Sequence, residues 1–175
     1  MFQFVNGTIF NDHIKVRGFS LAQCISSDTK SGMYRGISVE FLKEFPELNI
    51  LRTSNLTFGA LGTAVPIRVD KKFIYNLVTK PLAWMKPTLT CVYFALQSMR
   101  AHAQDNGILN IAVPLLGSVC DGLNFEMDVF PMLESVFKNT NIAIHIFYLG
   151  NNPILEKLEI IKRLVIFLIS IDYLV

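Results

Sequence analysis

The sequence predicts an α/β sandwich, a three-layer fold with a mixed central sheet between helices, and three features carry that reading. Strand-length apolar runs alternate with helix-period runs along the chain. Ile108–Val113 is apolar apart from Asn110, as suits a strand covered on both faces. Ala64–Val69 and Phe73–Val78 flank a short polar turn, Asp70–Lys72, in the pattern of a hairpin, which makes the sheet mixed.

In chain order, Phe2–Val5 reads as an opening strand and Leu21–Ile25 as a second, closed by Ser26, Ser27 and Asp28. Gly32 and Gly36 punctuate the loop that follows. Ile37, Val39, Phe41, Leu42 and Phe45 fall mostly on one side of a helix, which Pro46 should stop. After the hairpin, Pro87-Thr88 opens the clearest helix, with Leu89, Val92, Tyr93, Leu96 and Met99 at helical spacing and Asn106-Gly107 at its end. Ile108–Val113 is the buried strand, and Pro114 and Gly117 begin the loop behind it. Val129, Met132, Leu133 and Val136 mark another helix, with Lys138 in its last turn, and Ile142–Tyr148 reads as the last strand. Turn residues cluster from Gly150 to Pro153, so one domain is expected over residues 1–149, with an apolar extension over 150–175.

Composition narrows the function. The 175 residues are 51% hydrophobic, enough for one domain with a core of its own and too few for two. Charged residues make up 17% and the net charge is +2, so no basic stripe for general polyanion binding is present, while a small anion needs only a few aimed donors. Cys24, Cys91 and Cys120 form no CxxC pair, and their odd number points to a reducing compartment. His13, His102 and His145 are scattered, so neither a metal site nor a cofactor is expected. Met1–Phe10 lacks the basic and apolar regions of a signal peptide. Leu164–Ile171 is far shorter than the roughly 20 apolar residues of a span. The expectation is a monomer of cytoplasm or nucleus, without membrane insertion.

In a sheet of this class, ligands sit beyond the carboxyl ends of the strands. That rule singles out two loops, Ser26–Gly36 and Leu115–Leu123. The first leads into a helix, whose free N–H groups and positive end suit a phosphate; an ordinary strand-to-helix turn has the same spacing. The second follows the buried strand and offers its own N–H groups to an anion. Asp121, inside it, reads either as the cap of the following helix or as a carboxylate in use. Lys80 leaves an apolar strand at its carboxyl end. It is either a solvated strand-end lysine or, where partly desolvated, an amine held more readily in its nucleophilic form. Pro81 biases Lys80 toward extended backbone.

Taken together these segments resemble a known family. Ala22-Gln-Cys-Ile-Ser-Ser-Asp28 resembles the AHCIS-x-D motif of one macrodomain subclass, the terminal ADP-ribose protein glycohydrolases together with the ADP-ribose-1″-phosphate phosphatases. Gly36–Phe45 is similar to that subclass's GIA-x-x-FK-x-x-F helix, and Tyr75–Pro81 followed by Lys86-Pro-Thr resembles its YYLITK and KPT. Pro114–Glu126 is similar to P-x-IGCGLDGL-x-W. The resemblance runs in register from Val5 to Leu149.

It implies the macrodomain fold and ADP-ribose as ligand, free or attached to a protein or a nucleic-acid base. By position, it implies that Lys80 attacks C1″ of the distal ribose and that Asp121 assists and resolves the intermediate. It implies ligand contacts from Thr8, Ile9, Ser26, Gly32, Arg35, Gly36, Ile37, Leu116, Gly117, Ser118, Val119, Cys120, Gly122 and Phe147. The implied activity is removal of ADP-ribose from glutamate or aspartate esters, or deacylation of O-acyl-ADP-ribose. The alternatives are a module that binds without turnover and a phosphatase. Three departures stand out: Thr8 replaces the aspartate that meets the adenine amine, Val119 replaces the second glycine of the phosphate loop, and the first loop is about two residues longer. The last adds Met33, Tyr34 and Arg35 as bulk beside the site.

Overall fold

The structure is a computed structural model that describes residues 1–11, 18–29, 33, 35–53, 59–118 and 121–151. Its sheet holds six strands: β1 (Phe2–Asn6), β2 (Ser20–Ser26), β3 (Ala64–Val69), β4 (Lys72–Lys80), β5 (Asn110–Pro114) and β6 (Ala143–Tyr148). They lie in the order β1-β6-β5-β2-β4-β3. The first five of these run parallel, and only β3 is antiparallel, paired with β4 through the expected hairpin. All five parallel strands therefore end at one edge of the sheet.

Side-chain alternation builds one core on each face. Along β2, Ala22 joins the core beneath α3 (Leu89–Asp105) and α4 (Phe130–Phe137), where Leu96, Met99, Phe125, Leu133 and Phe137 are sealed. Leu21 and Ile25, on the opposite face, join the core beneath α1 (Ile37–Glu44), with Phe41, Phe45, Leu48 and Leu51. Helices thus cover both faces, and the chain is the expected α/β sandwich with a mixed sheet.

The helix ends follow from local chemistry. Thr88 Oγ1 accepts the N–H of Cys91 and caps α3. Gly107, at φ 64°, ends that helix. The N–H of Ile108 then bonds back to the carbonyl of Ala103, and that of Gly107 to Gln104, a glycine-turned stop. This stop takes Ile108 and Leu109 out of the expected strand, which begins at Asn110. Pro46 ends α1 but also opens a 3-10 turn, Pro46–Asn49, that runs into α2 (Ile50–Thr53), because proline suits a first helical position. Leu48 and Leu51 are buried by this segment, which the pattern of the sequence does not reveal. The helix expected at Val129 starts earlier, as a π turn over Phe125–Val129 that leads into α4.

Of the extension expected over 150–175, residues 152–175 lie outside the described residues. Among the described residues, no helix is long and apolar enough to cross a membrane.

Candidate active site

The edge where the parallel strands end carries a cleft of about 840 Å³. Neighbouring strands are spaced about 4.8 Å apart, so from the end of β1 to the end of β4 the cleft extends roughly 19 Å. Gly7, Thr8, Ile9 and Phe10 line it behind β1, Phe147 to Leu149 behind β6, Pro114 to Ser118 behind β5, and Cys24 to Ser26 on β2. Lys80, Ala83 and Trp84 line the β4 end, and Arg35 to Ser38 come from the start of α1.

Lys80 and Asp121 meet in this cleft. Lys80 Nζ donates to Asp121 Oδ1, and both side chains are nearly buried. A register slip positions the lysine. Ile25 pairs with Val78 but Ser26 pairs with Lys80, which leaves Thr79 as an extra residue on β4. A bulge of this kind breaks the alternation of faces and re-aims the side chain that follows. The backbone around Lys80 is held beyond the strand as well: Ser27 N–H donates to its carbonyl at 2.8 Å, and Asp28 N–H to that of Pro81 at 3.1 Å. Lys80 is thus a buried, paired amine rather than a solvated strand-end lysine. Asp121 does not cap the next helix; Asn124 does, its Oδ1 accepting the N–H of Met127 at 3.0 Å.

Cys24 sits against the pair. Burial pushes its thiol from 9.0 to about 12, and the Asp121 carboxylate adds to that push. A hydrogen bond with Thr79 and the charge of Lys80 oppose it. The thiol beside the pair is therefore protonated and a poor nucleophile at neutral pH.

Two backbone features face the same space. Gly36, at φ 60° and ψ −150°, precedes α1 in a conformation that is essentially glycine's own. No side chain caps this helix, and Gly36, Ile37 and Ser38 at its start line the cleft. Its first N–H groups and positive end are placed for an anion. Across the cleft, Gly117 turns at φ 71°, where a Cβ would come within 2.8 Å of Leu123 Cδ1. The loop is closed by Leu123 N–H donating to the Gly117 carbonyl at 2.9 Å and by Ser118 Oγ donating to the Leu115 carbonyl at 2.7 Å.

Of the residues singled out in the sequence, Lys80, Asp121, Thr8, Ile9, Ser26, Arg35, Gly36, Ile37, Leu116, Gly117, Ser118 and Phe147 border this one cleft. Gly122 is not among the lining residues; it is exposed. Gly32, Val119 and Cys120 lie outside the described residues, as does Tyr34. Met33 was expected as bulk beside the site, but it is buried in the core under α1. Ile9 and Phe147 belong to that core too and give the cleft an apolar wall. Sequence reasoning missed Phe10, Glu40 and Trp84. Phe10 is held over α1 by an edge contact with Phe41, with ring centroids 5.0 Å apart. Trp84 had a signal: it is the only tryptophan of the chain and lies four residues beyond Lys80. Among the described residues, no group of His, Cys, Asp and Glu is arranged to hold a metal ion.

Comparison with known proteins agrees with this architecture. No protein-family profile matches the chain. The ADP-ribose glycohydrolase OARD1 of Homo sapiens is 35% identical over 130 residues, which cover 74% of this chain and 82% of that protein. Among solved structures, the macrodomain of Mycobacterium tuberculosis DarG superposes with a TM-score of 0.68 at 20% identity, over 84% of this chain and 97% of that one. Thermosipho africanus DarTG, solved in complex with ADP-ribose, superposes with a TM-score of 0.68 at 17% identity, over 85% of this chain and 41% of that one. On the sequence identity with the first of these and the fold shared with the others, the chain belongs to the macrodomain family, among the macrodomains of the terminal ADP-ribose glycohydrolase type.

Proposed function

We propose that this macrodomain is a hydrolase that releases ADP-ribose from ester-linked acidic side chains, with Lys80 as nucleophile and Asp121 as proton carrier. The observation that carries the reading is the buried Lys80–Asp121 pair on the floor of an anion-ready cleft. A relative 35% identical is named an ADP-ribose glycohydrolase, and a structure of the same fold is described in complex with ADP-ribose; both support it.

In this reading the pyrophosphate rests between the start of α1 and the Gly117 loop, and the distal ribose reaches Lys80. Asp121 takes a proton from the Lys80 ammonium, and the amine attacks C1″. A C–N bond forms, the C1″–O bond to the acceptor breaks, and Asp121 passes its proton to the departing oxygen, so the acceptor leaves as a carboxylic acid and Asp121 is again a carboxylate. Water then adds at C1″, giving a proton to Asp121. The C–N bond breaks and ADP-ribose departs. Holding amine and carboxylate beside the anomeric carbon makes the attack intramolecular, worth about 7–11 kcal/mol of barrier at the upper end.

The test is incubation with a glutamate-linked mono-ADP-ribosylated protein and detection of free ADP-ribose. Parent protein is expected to release it. Lys80→Ala is expected to lose that release while keeping ADP-ribose affinity within a few-fold, because affinity comes from backbone donors around the phosphates. Binding without release by the parent would make the protein a reader of ADP-ribose instead.

A further inference from the structure

Trp84 is the largest apolar side chain on the rim of the cleft, and 72% of it is exposed. Such a side chain ordinarily finds a partner, yet among the described residues no ring packs against it. Its position is fixed by backbone. Met85 N–H donates to the Leu82 carbonyl at 3.1 Å, closing a turn with Ala83 and Trp84 at its tip. The segment is pinned on one side by the Asp28 to Pro81 hydrogen bond and on the other by the Thr88 cap of α3. The indole is therefore displayed by a rigid turn.

The order of strands says which part of a substrate it meets. The start of α1 follows β2 and the Gly117 loop follows β5, two strands on the β1 side of β4, whereas Lys80 ends β4 and Trp84 lies four residues beyond it. Free ADP-ribose ends at its anomeric carbon, beside Lys80. What continues past Lys80 is the acceptor.

We propose that Trp84, with the exposed Met85 next to it, forms an acceptor-side subsite that takes an apolar side chain flanking the modified acidic residue of a polypeptide. The proposal rests on the hydrolase reading of the same cleft. Its chemistry favours a peptide: Pro81 to Pro87 carries a single charge, Lys86, and on the α1 side of the rim Glu40 offsets Arg35. A nucleic-acid acceptor would call for several phosphate-binding cations there.

The test compares two mono-ADP-ribosylated peptides, identical except for leucine or glycine on both sides of the modified glutamate. The parent should cleave the leucine peptide with the higher kcat/KM. Trp84→Ala should lower kcat/KM on it at least tenfold, with little change on the glycine peptide and ADP-ribose affinity within twofold. Trp84→Phe should restore most of the loss, which a merely structural role would not predict. Equal losses on both peptides, or none, would overturn the proposal. So would a Trp84 effect confined to an ADP-ribosylated oligonucleotide. A binding arm separates this proposal from the hydrolase reading. In Lys80→Ala protein, emission of the sole tryptophan should shift with the leucine peptide and stay constant with free ADP-ribose. If the parent cleaves neither peptide, the hydrolase reading fails, and this emission shift alone decides the subsite. An equal response to both ligands, or no response, rejects it.

Discussion

Lys80 and Asp121 are nearly buried, and each is the other's counter-charge. Deleting one partner of a sealed pair costs roughly 3–5 kcal/mol, and less where a cleft admits water to the orphan. Lys80→Ala and Asp121→Ala are each expected to lower the melting temperature, and the double variant to melt above the sum of the two losses; thermal melts of all three proteins measure that coupling. The pair also separates the two half-reactions. With the carboxylate gone, an adduct formed on Lys80 resolves slowly, so Asp121→Ala should carry the mass of ADP-ribose after exposure to substrate, while the double variant should not, as intact-mass spectrometry would show. At the other end of the cleft, Thr8 Oγ1 already accepts the N–H of Phe10 at 3.2 Å. An aspartate there can keep that bond with one oxygen and offer the second to an amine donor such as adenine's. A charge-assisted bond is roughly twice as strong as a neutral one. Thr8→Asp should therefore tighten ADP-ribose several-fold in calorimetry, and no gain would place the adenine elsewhere.

At the level of elements, β2 and β4 bring Cys24 and Tyr75 into the core under α3, and both groups are held protonated there. Burial raises the Tyr75 phenol above its ordinary value, as it raises the Cys24 thiol from 9.0 to about 12. The unfolded chain gives up the thiol proton near the ordinary value, while the folded chain keeps it. Between those two values the unfolded state binds fewer protons, so stability is full below 9.0 and falls as pH rises toward about 12. Urea melts at about pH 8 and about pH 10.5 should show this loss, and Cys24→Ala should reduce it without removing the part due to Tyr75. The same strands show what the sequence discloses. Apolar alternation made β2, β4 and the hairpin legible, and the run ending at Val113 marked β5, because a strand's period and burial are written residue by residue. The slip at Thr79 that aims Lys80 is not written that way, since a bulge depends on how two strands pair. Pro46 marked the end of α1 as expected but not the turn it opens: proline ends one helix and begins another with the same fixed φ, and the burial of Leu48 and Leu51 shows that both occur here. Trp84 stayed unread because exposure of a tryptophan is decided by the turn that carries it.

For the molecule as a whole, the question is where the cooperative unit ends. Among the described residues Tyr148 is the last core side chain, and it packs in the core beneath α3 and α4. β1 and β6 pair from Phe2 opposite Ile144 to Asn6 opposite Tyr148, and Gly7 N–H donates to the Tyr148 carbonyl at 2.8 Å. Beyond that point Leu149 is 78% exposed, and Gly150 turns at φ 81°, its carbonyl accepting from the Asn6 side chain at 3.3 Å. A protein ending at Leu149 is therefore expected to melt cooperatively within a few degrees of the full chain and to bind ADP-ribose with the same affinity, measured by calorimetry. Its solubility should rise, because residues 164–171 are an apolar, proline-free run of the kind that drives association when uncovered. Loss of the cooperative melt on truncation would mean that residues 150–175 complete one of the cores, and would move the domain boundary to the end of the chain.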